Sequence, residues 1–277
     1  AELARSLWLS VPDEELVTLA ASNGLRGEVL RGEIARMLAD ERSERMIRSF
    51  SDQWLNLRGL NKVTPSLKLY PLFDDLMNHY LPIETRRYLQ HLIQENMSAG
   101  HLIDSDFTFL NQRLARHYGI PGVVGQEMRK VSLPAESPRG GLMTMASVLQ
   151  VTTDGFDTSP ILRGAWISKN IVGTPLSPPP ESVPALEPQH DHAETLKEQI
   201  EQHKKSKACY ACHKSIDPYG FALENFDAVG EWRETYKIKQ AHRGTFQYRP
   251  KGYFKMGGSV DASGEINGDE FRNIFGL

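Results

Sequence analysis

Cysteine is nearly absent. The two in 277 residues lie three positions apart, so no third thiol is available for a disulfide framework. Long apolar runs are missing too: no stretch approaches the ~20 residues that a helical membrane span needs. Charge of one sign is also lacking, because 32 basic and 35 acidic residues leave a formal net charge of −3. That balance excludes the broad basic field on which phosphate-driven nucleic-acid binding depends. No Ser/His/Asp order, phosphate-cradling glycine loop or paired-carboxylate motif stands out, and no hydrolytic activity is assigned. The chain opens Ala1-Glu2-Leu3-Ala4, without an initiator methionine or a signal-peptide pattern, and reads as a mature, cut or partial product.

What is present is an ordinary globular composition, 40% hydrophobic and 24% charged, on a chain long enough for one large or two ordinary domains. Pro12-Asp13-Glu14-Glu15 places a proline and three carboxylates ahead of Leu16, Ala20 and Ala21, predicting a helix over 12–22. Leu30, Ile34, Met37, Leu38, Met46, Ile47, Phe50, Trp54 and Leu57 recur at three- and four-residue steps, so one or two helices are expected over 27–57. The pattern repeats over 71–80 and 83–97, and Ser105-Asp106 ahead of Phe107 reads as a further capped helix start. The first 119 residues are therefore expected to be all-α, with a soft boundary at 120–140 where Gly and Pro accumulate.

Beyond that boundary, Met143 to Thr152 is apolar with β-branched members, and Ser159-Pro160 starts a helix expected over 159–171. The segment 174–188, with Pro175, Pro178, Pro179, Pro180, Pro184 and Pro188, reads as an extended arm. A helix over 193–206 is expected to lead into a short cysteine-bearing helix. The polar, Gly-rich tail, with Tyr248, Tyr253 and Phe254, predicts loops and a small β-hairpin. Asp261 to Asn267 lacks the full spacing of a calcium loop and reads as a turn. His190-Asp191-His192 reads as a solvated loop on the arm rather than a metal site.

The chemistry lies in Cys209-Tyr210-Ala211-Cys212-His213. Two cysteines separated by two residues and followed at once by histidine have the spacing of c-type haem attachment. Each thiol adds to one porphyrin vinyl group, and the adjoining histidine offers a nitrogen to iron. Two rivals remain open at this level, a redox dithiol and a partial zinc site. The haem reading divides the mainly α chain into a helical domain over 1–130 and a helical haem domain with long loops over 131–277.

The run from Cys212-His213-Lys214-Ser215-Ile216-Asp217-Pro218-Tyr219-Gly220-Phe221 through Glu224-Asn225-Phe226-Asp227 to Trp232-Arg233 strongly resembles the haem segment of the planctomycete-type multidomain cytochromes. Those are large exported proteins built of consecutive domains of unknown function. The resemblance extends to Thr158–Trp166, Val183–Leu186, Phe107–Ala115, Leu7-Trp8, Pro12–Leu16 and Gln53–Leu55, nearly the whole chain. It implies one covalent haem c, a periplasmic or cell-surface location, and a redox partner or neighbouring domains of a larger parent chain.

The sixth iron position divides electron transfer from small-molecule chemistry. Candidates for it are Met143, Met145, Met256, His190, His192, His203 and His242. Met145 is preferred, since Gly140 to Leu149 resembles a glycine-led family segment that often carries a histidine at the matching position. Met256, beside two glycines and downstream of the haem motif, is the alternative. Arg163 and Trp166 are candidates for contacting the haem propionates. Pro218, Phe221, Leu223 and Phe226 are expected to wall the haem. Tyr219 and Trp232 are candidates for stacking at the haem edge. The expected function is single-electron transfer, with a haem peroxidase or oxidoreductase, and an interaction module of a larger assembly, as alternatives.

Overall fold

Side-chain caps set where several helices begin. In the computed structural model, which describes residues 1–176, 196–204, 207–239 and 254–276, Asp13, Asp74, Asn111 and Ser159 each accept a hydrogen bond from a first-turn backbone N–H. Such caps satisfy donors that the helix itself leaves unpaired. Most of the proline-rich arm, His190, His192, His242, Tyr248, Tyr253 and the side chain of His203 lie outside the described residues.

The elements are α1 (Glu2–Leu7), α2 (Glu14–Ala21), α3 (Gly27–Ala39), α4 (Glu44–Trp54) and α5 (Asp75–Gln94), then β1 (Phe107–Leu110), α6 (Gln112–Tyr118) and β2 (Arg129–Ser132). After them come α7 (Ala146–Gln150), α8 (Pro160–Ile167), α9 (Leu196–His203), α10 (Lys207–Ala222), β3 (Thr235–Lys239), β4 (Phe254–Ser259), β5 (Gly264–Ile266) and β6 (Asp269–Phe271). The strands pair antiparallel, β1 with β2, β3 with β4 and β5 with β6. The chain is thus mainly α with small hairpins, as expected. Among the described residues no helix is long and apolar enough to cross a membrane.

Three expectations need correction. The segment after Ser105-Asp106 is strand β1, so the first 119 residues are not all-α. The Ser105 hydroxyl bonds Phe107 N and O, which offers the backbone a local alternative to a helical turn, and Phe107-Thr108-Phe109 favours a pleated surface. The helix starts only at the next cap, Asn111. The two segments expected at 71–80 and 83–97 are replaced by the single helix α5, which runs through Pro82 and loses one main-chain hydrogen bond there. The cysteine-bearing helix is also longer than expected, 16 residues with Pro218 inside.

The core does not respect the boundary at 120–140. Ile47, Leu55, Tyr88 and Leu92 pack in one cluster with Met145, Trp166, Leu223 and Phe226. Leu69, Tyr70, Leu81 and Leu114 pack in another with Ala146, Ala228 and Val229. A satellite of Ala4, Trp8, Leu16 and Met37 closes the N-terminal end, where the Arg42 guanidinium lies 3.4 Å from the centre of the Trp8 ring.

The tightest joint is between α8 and α10. A Cβ on Gly164 would fall 1.9 Å from Ile216 O, and one on Gly220 would fall 1.9 Å from Pro160 O. The two contacts advance in opposite directions along the chain, so the helices run antiparallel with backbones touching. Gly164→Ala is therefore expected to cost about 3 kcal/mol or more, at the upper end for overpacking. Gly32→Ala in α3, where the added carbon meets nothing within 4 Å, is expected to stabilise by about 0.5–1 kcal/mol. Denaturant titrations of both variants check the pair.

Candidate functional site

Helix α10 places Cys209, Cys212, His213 and Ile216 on one face, because steps of three and four residues return to the same side of an α-helix. Ile216 and Gly220 take up α8 lower on that face, and the two cysteines lie on its N-terminal part. Both thiols are free of disulfides, Cys209 half-buried and Cys212 exposed. His213 is buried, and its Nδ1 lies 2.9 Å from Asp217 Oδ1 one turn on. Asp217 is 1% exposed, and Nζ of Lys204, the residue just after α9, lies 3.4 Å from its second oxygen. Burial pushes the Asp217 carboxyl above its ordinary value, against the pull of His213 and then Lys204.

This donor set fits haem c. An imidazole that donates Nδ1–H to a carboxylate carries its lone pair on Nε2, the nitrogen that would meet iron. Two thiols on the same helix face, one half-buried and one exposed, would supply the attachment points. Among the described residues no group of three or more His, Cys, Asp and Glu side chains could hold a bare metal ion.

The other expected site residues fall in different places. Met145, Trp166, Leu223 and Phe226 share one buried cluster, together with Met143. Phe221 instead packs with Ile200 and Ile161. Pro218 borders a groove of about 340 Å³ with Lys214, Tyr219, Thr174 and Glu265. Met256 is 59% exposed on β4, where it pairs with Lys237. The Trp232 ring meets Phe226 edge-on. A larger cavity of about 470 Å³, lined in part by Leu72, Tyr80, Arg113, His117 and Glu231, includes no residue of α10.

The buried Arg163 guanidinium donates to the carbonyls of Leu223, Phe226 and Asp227 at 2.9, 2.6 and 2.9 Å. The Trp166 indole N–H is likewise engaged, with Leu55 O at 3.3 Å. Arg163 thereby holds the turn that follows α10. Arg233 closes the same turn on Glu224, and the Asp227 carboxylate accepts from the backbone N–H groups of Val229 and Glu231. The turn at Asp261 is also held by protein groups, since Lys197 Nζ bonds Asp261, Ser263 O and Ser263 Oγ.

A second buried network, not singled out from the sequence, anchors the segment that carries Met145. Tyr118 donates to Glu84 at 2.5 Å and accepts from Ala146 N at 2.9 Å, and Thr108 donates to Glu84 at 2.7 Å. Thr85 and Ser147 share a hydrogen bond of 2.6 Å. The Arg139 guanidinium lies 3.5 Å from the centre of the Tyr118 ring and donates to Thr144 O. Thr85 of α5, and Tyr118 held by Glu84 of α5, thus fix Ser147 and Ala146 after Met145, and Arg139 fixes Thr144 before it. Asp217 carries a local signal, its four-residue spacing from His213. Glu84 and Tyr118 carry none, since their partners lie far along the chain.

Burial is the largest influence on Glu84 and pushes its carboxyl from 4.5 up to about 7, against the Tyr118 and Thr108 hydrogen bonds. A folded-state value above the unfolded one means that the native protein holds the extra proton. The contribution is fully present below about pH 4.5 and is lost as pH rises to about 7. That shift corresponds to about 3 kcal/mol. Glu84→Gln, which needs no proton to stay neutral, is expected to flatten the fall in stability across this range, as read by urea titrations at acidic and alkaline pH.

No curated protein and no solved structure matches the chain. Two family comparisons do match. Residues 1–120 match PSD4, described as a protein of unknown function (DUF1592), and residues 139–236 match PSCyt3, described as a protein of unknown function (DUF1588). Both families are typical of planctomycete multidomain cytochrome-like proteins, and this chain is similar to them in two consecutive parts.

Proposed function

We propose that the chain is an exported mono-haem c-type cytochrome module that passes single electrons. The observation that carries this reading is the donor set on α10: two thiols and a histidine on one helix face, with His213 Nδ1 engaged by the buried Asp217 carboxylate. Haem, once attached, supplies the one-electron iron couple.

The protein's part is to hold and surround it. Cys209 and Cys212 would tether the porphyrin edge through thioethers, and His213 would serve as the proximal ligand. Met145 is the preferred distal ligand, a thioether that is 3% exposed in a cluster with Trp166, Leu223 and Phe226. Apolar surroundings of that kind exclude water and favour the reduced iron, which carries less charge. Met256, exposed on β4, is the weaker alternative. Attachment of haem c takes place outside the cytoplasm, which supports a periplasmic or cell-surface location. The electron partner is a redox protein or a neighbouring domain of a larger parent chain.

Ferric and ferrous absorption spectra with a pyridine haemochrome assay test the reading. One covalent haem per chain is expected, with attachment lost in the Cys209→Ala, Cys212→Ala double variant. A weak near-infrared sulfur-to-iron band is expected in the native protein, lost in Met145→Ala and retained in Met256→Ala. A high-spin spectrum that binds added ligands readily would favour a haem oxidoreductase instead, and absence of covalent haem would overturn the reading altogether.

A further inference from the structure

A carboxylate buried in the middle of a helix is costly, and aspartate is a poor helix former there. Asp217 is nevertheless 1% exposed within α10. Its placement has two partners: His213 Nδ1 at 2.9 Å on its own helix and, at 3.4 Å, Nζ of Lys204, the residue just after α9. The position faces the interior, and an apolar residue would fill it more cheaply if packing were the only demand.

A carboxylate that accepts from the far nitrogen of a ligating imidazole fixes the rotation of the ring and raises the basicity of the ligating nitrogen. A more basic ligand stabilises the ferric state relative to the ferrous. An ammonium beside the same carboxylate draws on its charge and weakens that effect. The low dielectric around a buried pair keeps both influences from being screened.

We propose that Asp217 is a positioning residue that, through Nδ1 of His213, orients the proximal imidazole and lowers the reduction potential of the haem iron, with Lys204 moderating the effect. This inference rests on the haem reading above. It makes the residue that follows the C-terminal end of α9 part of the tuning apparatus, because Lys204 reaches Asp217 from there.

The test is a spectroelectrochemical titration of the haem-loaded chain, native and variant, with the haemochrome assay run on every sample. Asp217→Asn keeps the size of the side chain and a neutral acceptor. It is expected to shift the reduced-to-oxidised ratio at fixed poise about tenfold toward reduced, which is 59 mV upward for a one-electron couple. Lys204→Gln is expected to move the potential the opposite way. A packing role alone would leave the potential in place.

Equal potentials for the native chain and Asp217→Asn, with haem attached in both, would overturn the proposal. So would an upward shift in Lys204→Gln. Where Asp217→Asn does not fold, Lys204→Gln decides by itself: a downward shift supports the proposal and an unchanged potential overturns it. A native chain without covalent haem overturns the haem reading and this inference with it, and the haemochrome result separates that failure from a potential that does not move.

Discussion

The structure depends on the contact of two helix backbones. Gly164 of α8 and Gly220 of α10 bring main chain against main chain, and no other residue leaves room for that approach. The consequence for the candidate site is geometric. With α8 fixed at Ile216 and Pro160, the stripe that carries Gly220 and Ile216 continues toward His213, Cys212 and Cys209, so the face that carries the two thiols is aimed by the same contact that closes the core. The stripe runs from the enclosed Gly220, Ile216 and His213 to the exposed Cys212 and the half-buried Cys209. A tethered ligand needs that arrangement: a rigid base and accessible thiols.

Buried polar groups do the rest of the fastening. Arg163, Arg139 and Arg233 are each at most 7% exposed, and all three grip the segment that follows α10 or the one that carries Met145. A guanidinium can satisfy several carbonyls at once in a fixed plane, so it suits irregular backbone that no helix or sheet pairs. The same logic explains Glu84, held by Tyr118 and Thr108. Its elevated pKa belongs to a joint between the two matched parts, since Glu84 and Tyr118 lie in the first and Ala146, which Tyr118 accepts from, lies in the second. The two parts share core clusters as well. The chain therefore reads in sequence as two units and packs across their boundary.

The helices were legible in the sequence because apolar residues recur with the helical period and caps mark their starts. Strand β1 was not, since Ser105-Asp106 imitates a cap and only the placement of Phe107 against Ser132 in the hairpin separates the two outcomes. The Cys209, Cys212 and His213 trio was legible as a short fixed spacing, which α10 turns into a shared helix face. The partners that the Arg163 guanidinium has within the protein were not legible: they are carbonyls some sixty positions away, and nothing local marks such a role. Met256 looked suitable from its flanking glycines, whereas strand pairing leaves it exposed.

A helix that only had to present two thiols and an imidazole would need a packing face and a capped end. α10 contains more than that. It carries an internal proline, a glycine pressed against a neighbouring helix, and a buried aspartate beside its histidine. Each is unfavourable to an isolated helix, and each has a specific counterpart in the fold: the groove beside Pro218, the α8 backbone at Gly220, and the His213 and Lys204 pair at Asp217. Local costs met by particular tertiary partners are the mark of a segment whose geometry matters beyond its own stability. The Asp217 contact is the one among them that touches the chemistry directly, because it alone reaches the histidine that would bind iron.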